Sequence, residues 1–167
     1  MIGIANIKTM KKYFLALLLC CSIRSWGQKV DLINVDQLYW RLKGGGDTAF
    51  VVNFWATWCG PCVGELPDFD RLGVDYKRDK LKVLLISMDY KSKRTTSVLP
   101  FIKRKGIKSE VFVLDEKDPQ VYINRIDSSW SGGLPATLMW KKRQHRFFEK
   151  ELRYPELKKE YLNTKKI

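Results

Sequence analysis

Two cysteines separated by two residues, Cys59 and Cys62 in Trp58-Cys59-Gly60-Pro61-Cys62, are the residues whose types and spacing suit covalent chemistry. A thiolate attacks disulfides and binds metals, whereas a thiol does neither well. A pair three residues apart can also close a disulfide on itself if both lie on the first turn of a helix. Glu65 follows Cys62 by three residues, one helical turn on, where its carboxylate can face the sulfurs and exchange a proton with Cys62. Partial burial would raise its pKa toward that task. Zinc is the competing use of such a pair. Two thiolates leave a tetrahedral site incomplete, and His145 is the sole histidine, so no metal is expected.

The flanking residues predict where the pair sits. Phe50-Val51-Val52-Asn53-Phe54 is apolar and β-prone, as a buried strand would be. Val63, Leu66, Phe69 and Leu72 recur every three residues, the spacing of an amphipathic helix. The cysteines therefore fall at a strand-to-helix junction. There, free N–H groups and the helix dipole favour a thiolate. Cys59, near the N-cap, is the expected nucleophile and the more exposed sulfur; Cys62 resolves. Pro61 lacks an N–H that a first turn does not use.

Asn53-Phe54-Trp55-Ala56-Thr57-Trp58-Cys59-Gly60-Pro61-Cys62, with Glu65-Leu66-Pro67, resembles the secreted TlpA/ResA-type branch of the thioredoxin superfamily. Trp130-Ser131-Gly132-Gly133-Leu134-Pro135-Ala136-Thr137 is similar to that family's cis-proline segment. The resemblance implies an α/β, thioredoxin-like three-layer fold, a mixed sheet with helices on both faces, an N-terminal extension and a central insertion. It also implies that Pro135 is cis and faces the cysteines, and that Leu134 offers backbone hydrogen bonds to a bound peptide. A glutamate at the place of Glu65 belongs to the same pattern. Asn53 departs from minimal thioredoxins, which carry an aspartate there, so a proton relay falls to Glu65 or water. Trp58 forms an apolar surface beside Cys59. With Gly60, Pro61, Leu134 and Pro135 it makes up the expected substrate-binding surface. Trp55 suits core or site equally, Trp130 suits packing of the loop before Pro135, and His145 suits an exposed position near a hairpin turn.

The chain has 167 residues, enough for one domain, and a net charge of +13. Lys8, Lys11 and Lys12 precede an apolar stretch from Tyr13 to Ile23, and Ser25 and Gly27 suit a cleavage site. That stretch is about half the ~20 residues that a membrane span needs. The expectation is a cleaved signal peptide over residues 1–27, a thioredoxin-like domain over 28–167, and a periplasmic address. Retention through an uncleaved N-terminus or a lipidated Cys20 is the alternative. Cleavage leaves Cys59 and Cys62 as the only cysteines, which is a redox pair and not a structural disulfide framework. The basic residues are scattered and carry no nucleic-acid motif, so a solvated basic face is expected.

Further along, Asn34 caps a helix through Leu42 that ends at Gly44-Gly45-Gly46. Leu81 to Ile86 reads as a parallel neighbour of the first strand, and Thr95 to Lys105 as a helix closed by Gly106. Val111 to Leu114 and a helix from Gln120 to Ile126 are assigned to the insertion. Ala136 to Trp140 and Arg146 to Lys150 form a hairpin through Lys141-Lys142-Arg143, and Pro155 opens a last helix to Leu162. Pro67 should kink the cysteine-bearing helix.

The expected activity is protein disulfide reduction with no cofactor beyond the Cys59–Cys62 couple. Substrates would be disulfide-containing exported proteins, apocytochrome c among the candidates, and electrons would come from a membrane thiol donor. A monomer and no nucleic-acid partner are expected. The alternatives are the reverse direction, a disulfide-forming oxidase or isomerase, and a thiol-based metallochaperone. A peroxiredoxin is disfavoured because Pro-x-x-x-Thr-x-x-Cys does not precede Cys59.

Overall fold

A computed structural model describes residues 28–166. The signal-peptide, cleavage and lipidation expectations lie outside them. Strand β1 (Val30–Ile33) leads into helix α1 (Val35–Gly44), whose N-cap Asn34 accepts from the Gln37 N–H while the Gln37 side chain returns to the Asn34 N–H. Strand β2 (Ala49–Trp55) enters helix α2 (Gly60–Asp75), and strand β3 (Leu81–Ser87) follows. Helix α3 (Leu99–Lys105) precedes strand β4 (Glu110–Leu114) and helix α4 (Pro119–Ile126). A hairpin of β5 (Ala136–Lys141) and β6 (Gln144–Phe148) and helix α5 (Tyr154–Lys165) complete the chain.

The six strands form one mixed sheet in the order β1-β4-β3-β2-β5-β6, with β1, β4, β3 and β2 parallel and β5 and β6 antiparallel. Strand β2 lies between β3 and β5, so all seven of its residues are buried and it reads as an unbroken apolar run apart from Asn53. Alternate residues serve opposite faces. Val51 and Trp55 pack with Leu66, Phe69 and Leu72 of α2, Ile102 of α3 and Tyr161 of α5. Phe50, Val52 and Phe54 pack with Leu38 and Leu42 of α1 and Ile126 of α4. These are the three layers expected from the sequence. Strand β4 sits inside the sheet, between β1 and β3, so the segment assigned to the insertion contributes core and not an edge.

Three local expectations are corrected. The helix expected from Thr95 is regular only from Leu99; a 3-10 turn (Lys91–Lys93) and a π turn (Arg94–Val98) precede it. Pro100 has no N–H, and its ring crowds the carbonyl four residues back, so the wider turn accommodates it. The hairpin turns tightly on Lys142 and Arg143, both at positive φ, which pairs His145 with Trp140 inside the ladder. Helix α5 continues past Leu162 because Thr164 is buried against Met139. Helix α2 runs through Pro67 to Asp75.

Candidate active site

Strand β2 ends at Trp55, and a short loop carries Ala56, Thr57 and Trp58 to Cys59, the N-cap of α2. The Cys59 sulfur accepts from the Cys62 N–H at 3.4 Å, a donor the first turn leaves without an intrahelical partner. The first turn of α2 holds no acidic side chain, so no carboxylate there opposes the helix dipole at Cys59. Cys59 and Cys62 are joined in a disulfide, with Cα atoms 5.3 Å apart. Cys59 is 7% exposed and Cys62 is fully buried, so an incoming molecule meets Cys59 first. Gly60 and Pro61 occupy the opening of the helix, and Gly60 has no neighbour within 4 Å of the position a Cβ would take.

Glu65 is buried completely, beyond the partial burial expected of it. Its Oε1 accepts from Asn53 Nδ2 at 2.8 Å and its Oε2 from the Leu152 N–H at 2.7 Å. Arg153, beside Leu152, donates to the Gly64 carbonyl at 2.7 Å and pairs with Asp68 at 3.2 Å, which lays residues 152–153 across α2 and closes Glu65 off. Burial pushes the Glu65 carboxyl up to about 7, and the Leu152 and Asn53 donors act against that rise. Asn53 also reaches Thr137 Oγ1 at 3.3 Å, its partner across the β2–β5 ladder. A buried carboxyl near neutrality, one turn past Cys62, is chemically suited to take or return a proton there.

The Leu134-Pro135 peptide is cis. Because Phe54 pairs with Ala136, Pro135 lies across from Trp55, where the loop to Cys59 begins. Leu134 packs against the layer that contains both cysteines. Trp58 is 72% exposed beside Cys59, as a substrate-resting surface would be. Trp55 is core, packed on Phe101 with ring centroids 5.4 Å apart. Trp130 is buried and donates from Nε1 to the Gly133 carbonyl at 2.8 Å, so it holds the loop before Pro135. His145 is outside this site, stacked on Trp140 and 3.2 Å from Asp127. Among the described residues no group of three or more His, Cys, Asp or Glu side chains could hold a metal ion.

Three residues at the site were not anticipated from the sequence. Asp89, buried just past β3, accepts from the Thr57 N–H at 2.9 Å, Thr57 Oγ1 at 2.6 Å and Ser87 Oγ at 2.7 Å, and so ties the loop before Cys59 to the end of β3. Its signal was available: a polar residue at the carboxyl end of a buried parallel strand, where α/β sheets build sites. Tyr90 follows it, 83% exposed, on the loop that Asp89 joins to Thr57. Glu149 binds the loop before Pro135, and only the hairpin register could have brought it there.

A thioredoxin-like fold with a disulfide-linked pair at the amino end of α2 and a cis-proline beside it defines the class. Within that class, the sequence profile of the AhpC/TSA family matches residues 28–142, and the chain belongs to that family. It is 36% identical over 56 residues to the thiol-disulfide oxidoreductase ResA of Oceanobacillus iheyensis, a match covering 34% of this chain and 29% of that protein. With ResA of Geobacillus kaustophilus it shares 30% identity over 99 residues, 59% of this chain and 52% of that one. The chain thus spans about half or less of the length of these curated relatives. Among solved structures it is similar to StoA of Bacillus subtilis (TM-score 0.55, 21% identity, 70% of this chain and 84% of that one). It is also similar to a thioredoxin-related protein of Neisseria meningitidis serogroup B (TM-score 0.62, 19% identity, 71% and 86%).

Proposed function

We propose that this chain is an exported thiol–disulfide oxidoreductase that works as a reductase of disulfide-bonded polypeptides. The observation that carries the reading is the Cys59–Cys62 disulfide, with the more accessible sulfur at the N-cap of α2. In the dithiol form, the Cys59 thiolate attacks one sulfur of a substrate disulfide. That bond breaks, a substrate thiolate leaves, and a mixed disulfide joins Cys59 to the substrate. Cys62, giving its proton to the Glu65 carboxylate, then attacks the Cys59 sulfur. The second substrate thiolate departs and the Cys59–Cys62 bond closes. Two electrons pass from the pair to the substrate, and a thiol donor must restore them.

Trp58, Gly60, Pro61, Leu134 and Pro135 are the residues proposed to receive the polypeptide. The CxxC spacing, the absence of Pro-x-x-x-Thr-x-x-Cys and the similarity to ResA proteins support thiol–disulfide exchange over peroxide reduction within the AhpC/TSA family. Export rests on the basic and apolar pattern of residues 8–23. Among the described residues no helix is long and apolar enough to cross a membrane. The reduction potential of the couple, measured by equilibration with glutathione, tests the direction. A value near the ~−270 mV of thioredoxin supports reduction, whereas one near the ~−120 mV of strong oxidants overturns it in favour of an oxidase.

A further inference from the structure

The loop Ser131-Gly132-Gly133, immediately before Leu134-Pro135, is wrapped around a single carboxylate. Glu149 accepts from the Ser131 N–H at 2.9 Å, from the Gly133 N–H at 2.7 Å, and from the Ser131 hydroxyl. Convergent N–H groups of a tight loop form a nest for an anion, and hydrogen bonds to a charged acceptor are about twice as strong as neutral ones. The two glycines fit this use. Gly132 has φ +95°, and a Cβ on it would lie 2.9 Å from Ile123 Cδ1 of α4. A Cβ on Gly133 would lie 2.4 Å from Glu149 Oε1, so the close approach of the carboxylate itself requires glycine. The Ser131 hydroxyl and N–H hold the Glu149 carboxyl below the ordinary carboxylate range, so it is ionised at neutral pH.

The position of Glu149 follows from the hairpin. Thr137 pairs with Phe148, which carries Glu149 beside Ala136, the residue after Pro135. On the other side, Trp130 Nε1 takes the Gly133 carbonyl at 2.8 Å. Both backbone polar groups of Gly133 are therefore engaged, the N–H by Glu149 and the C=O by Trp130. The first backbone groups beyond this clamp, toward the disulfide, are those of Leu134. A carboxylate on a strand-end residue, outside the cysteine chemistry, thus fixes the loop whose next residue meets the polypeptide in the function proposed above.

We infer that Glu149 is a positioning residue for polypeptide substrates: its carboxylate holds the Ser131–Gly133 loop so that the Leu134 backbone is presented in one register to an extended chain. The inference rests on the reductase reading, because it needs a polypeptide lying against Leu134. Its consequence is selective. A small disulfide needs the Cys59–Cys62 pair alone, whereas a peptide disulfide needs the loop as well.

The test compares kcat/KM for a cyclic peptide closed by one disulfide with that for bis(2-hydroxyethyl) disulfide. Glu149→Ala should lower the ratio of peptide to small-disulfide kcat/KM about tenfold, mainly through KM for the peptide. Glu149→Gln keeps a carbonyl acceptor in the nest and should recover a large part of that ratio. Ser131→Ala removes one of the three bonds and should give a smaller fall; it decides the matter if Glu149→Ala does not fold. A ratio within about twofold of wild type for Glu149→Ala, or an unchanged ratio for Ser131→Ala where Glu149→Ala does not fold, overturns the inference, as does an equal loss toward both substrates. A wild-type protein that turns over neither disulfide overturns the reductase reading instead, so the two failures are distinct.

Discussion

Asn53 Nδ2 donates to Glu65 Oε1 across 2.8 Å, joining the middle of β2 to the second turn of α2, and both side chains are fully buried. The bond fixes a buried carboxylate one helical turn past Cys62. Among the described residues Asn53 Oδ1 has no hydrogen-bond partner. An amide can rotate to exchange its oxygen and nitrogen, so Asn53 can donate to an ionised Glu65 and accept from a protonated one.

The first prediction concerns stability and pH. The Glu65 carboxyl is raised from 4.5 to about 7 in the folded protein. The folded state therefore holds this proton more tightly, and the stabilisation is complete below the unfolded value. It declines as pH rises from about 4.5 and is gone above the folded value near 7. At ~1.36 kcal/mol per pKa unit, the span is roughly 3 kcal/mol. Glu65→Gln, which cannot titrate, should gain on wild type by about that amount between pH 4.5 and 8 in denaturant melts. A difference that stays flat across that range would refute the raised carboxyl.

The second prediction separates the two sulfurs. Cys62→Ala leaves the accessible Cys59 able to attack but nothing to release it, so a covalent complex with a disulfide substrate should accumulate, visible as added mass that a reductant removes. Cys59→Ala removes the attacking sulfur and should reduce turnover to background. Trapping by Cys59→Ala and not by Cys62→Ala would reverse the roles assigned here.

The third prediction tests Asp89. Truncation to alanine strands the Thr57 N–H and two hydroxyls in a buried place, at about 1–3 kcal/mol. At roughly 2–4 °C per kcal/mol for a domain of this size, the melting temperature should fall by several degrees. Asp89→Asn keeps one carbonyl acceptor for Thr57 and should fall less. Equal melting temperatures for Asp89→Ala and wild type would show that Thr57 finds other partners.

What was legible in the sequence follows from the range of each interaction. The strand-to-helix junction, the Asn34 cap and the Pro119 start are set by neighbours within a few residues, and all three stand in the structure. Cys59, Cys62, Glu65, Leu134 and Pro135 come together because β2 and β5 pair antiparallel with Phe54 opposite Ala136, which brings the ends of the two segments to one end of the sheet. Asp89 and Glu149 were missed for a different reason. Asp89 is 32 residues from Thr57 and Glu149 is 18 from Ser131; the strand-end position marks Asp89 as a site candidate, but the partner of each carboxylate is set by tertiary pairing and not by its neighbours in sequence. Placing Glu149 needed the tight Lys142-Arg143 turn, which has neither the Asn-Gly nor the Asp-Gly signal that such turns usually show. The burial of Glu65 likewise depended on Leu152, 87 residues away.

The last prediction concerns Tyr90 and Trp58. Asp89 ties their two loops together through Thr57, and the Met88 N–H adds a 2.7 Å bond to the Trp55 carbonyl, so the two loops run side by side. Each then presents a large aromatic side chain to solvent, 72% exposed at Trp58 and 83% at Tyr90. Neither side chain supports the core, so alanine at either place should leave the melting temperature unchanged. An aromatic contact with a bound chain is worth about 0.5–1.5 kcal/mol, or roughly two- to tenfold in kcat/KM. Tyr90→Ala should therefore weaken reduction of a peptide disulfide within that range, and Trp58→Ala, adjacent to the attacking sulfur, should weaken it at least as much. Small-disulfide turnover measured in parallel is the control. If Tyr90→Ala lowers both rates alike, or neither, the polypeptide does not extend from Cys59 over the β3 loop and must leave the site on the Leu134 side alone.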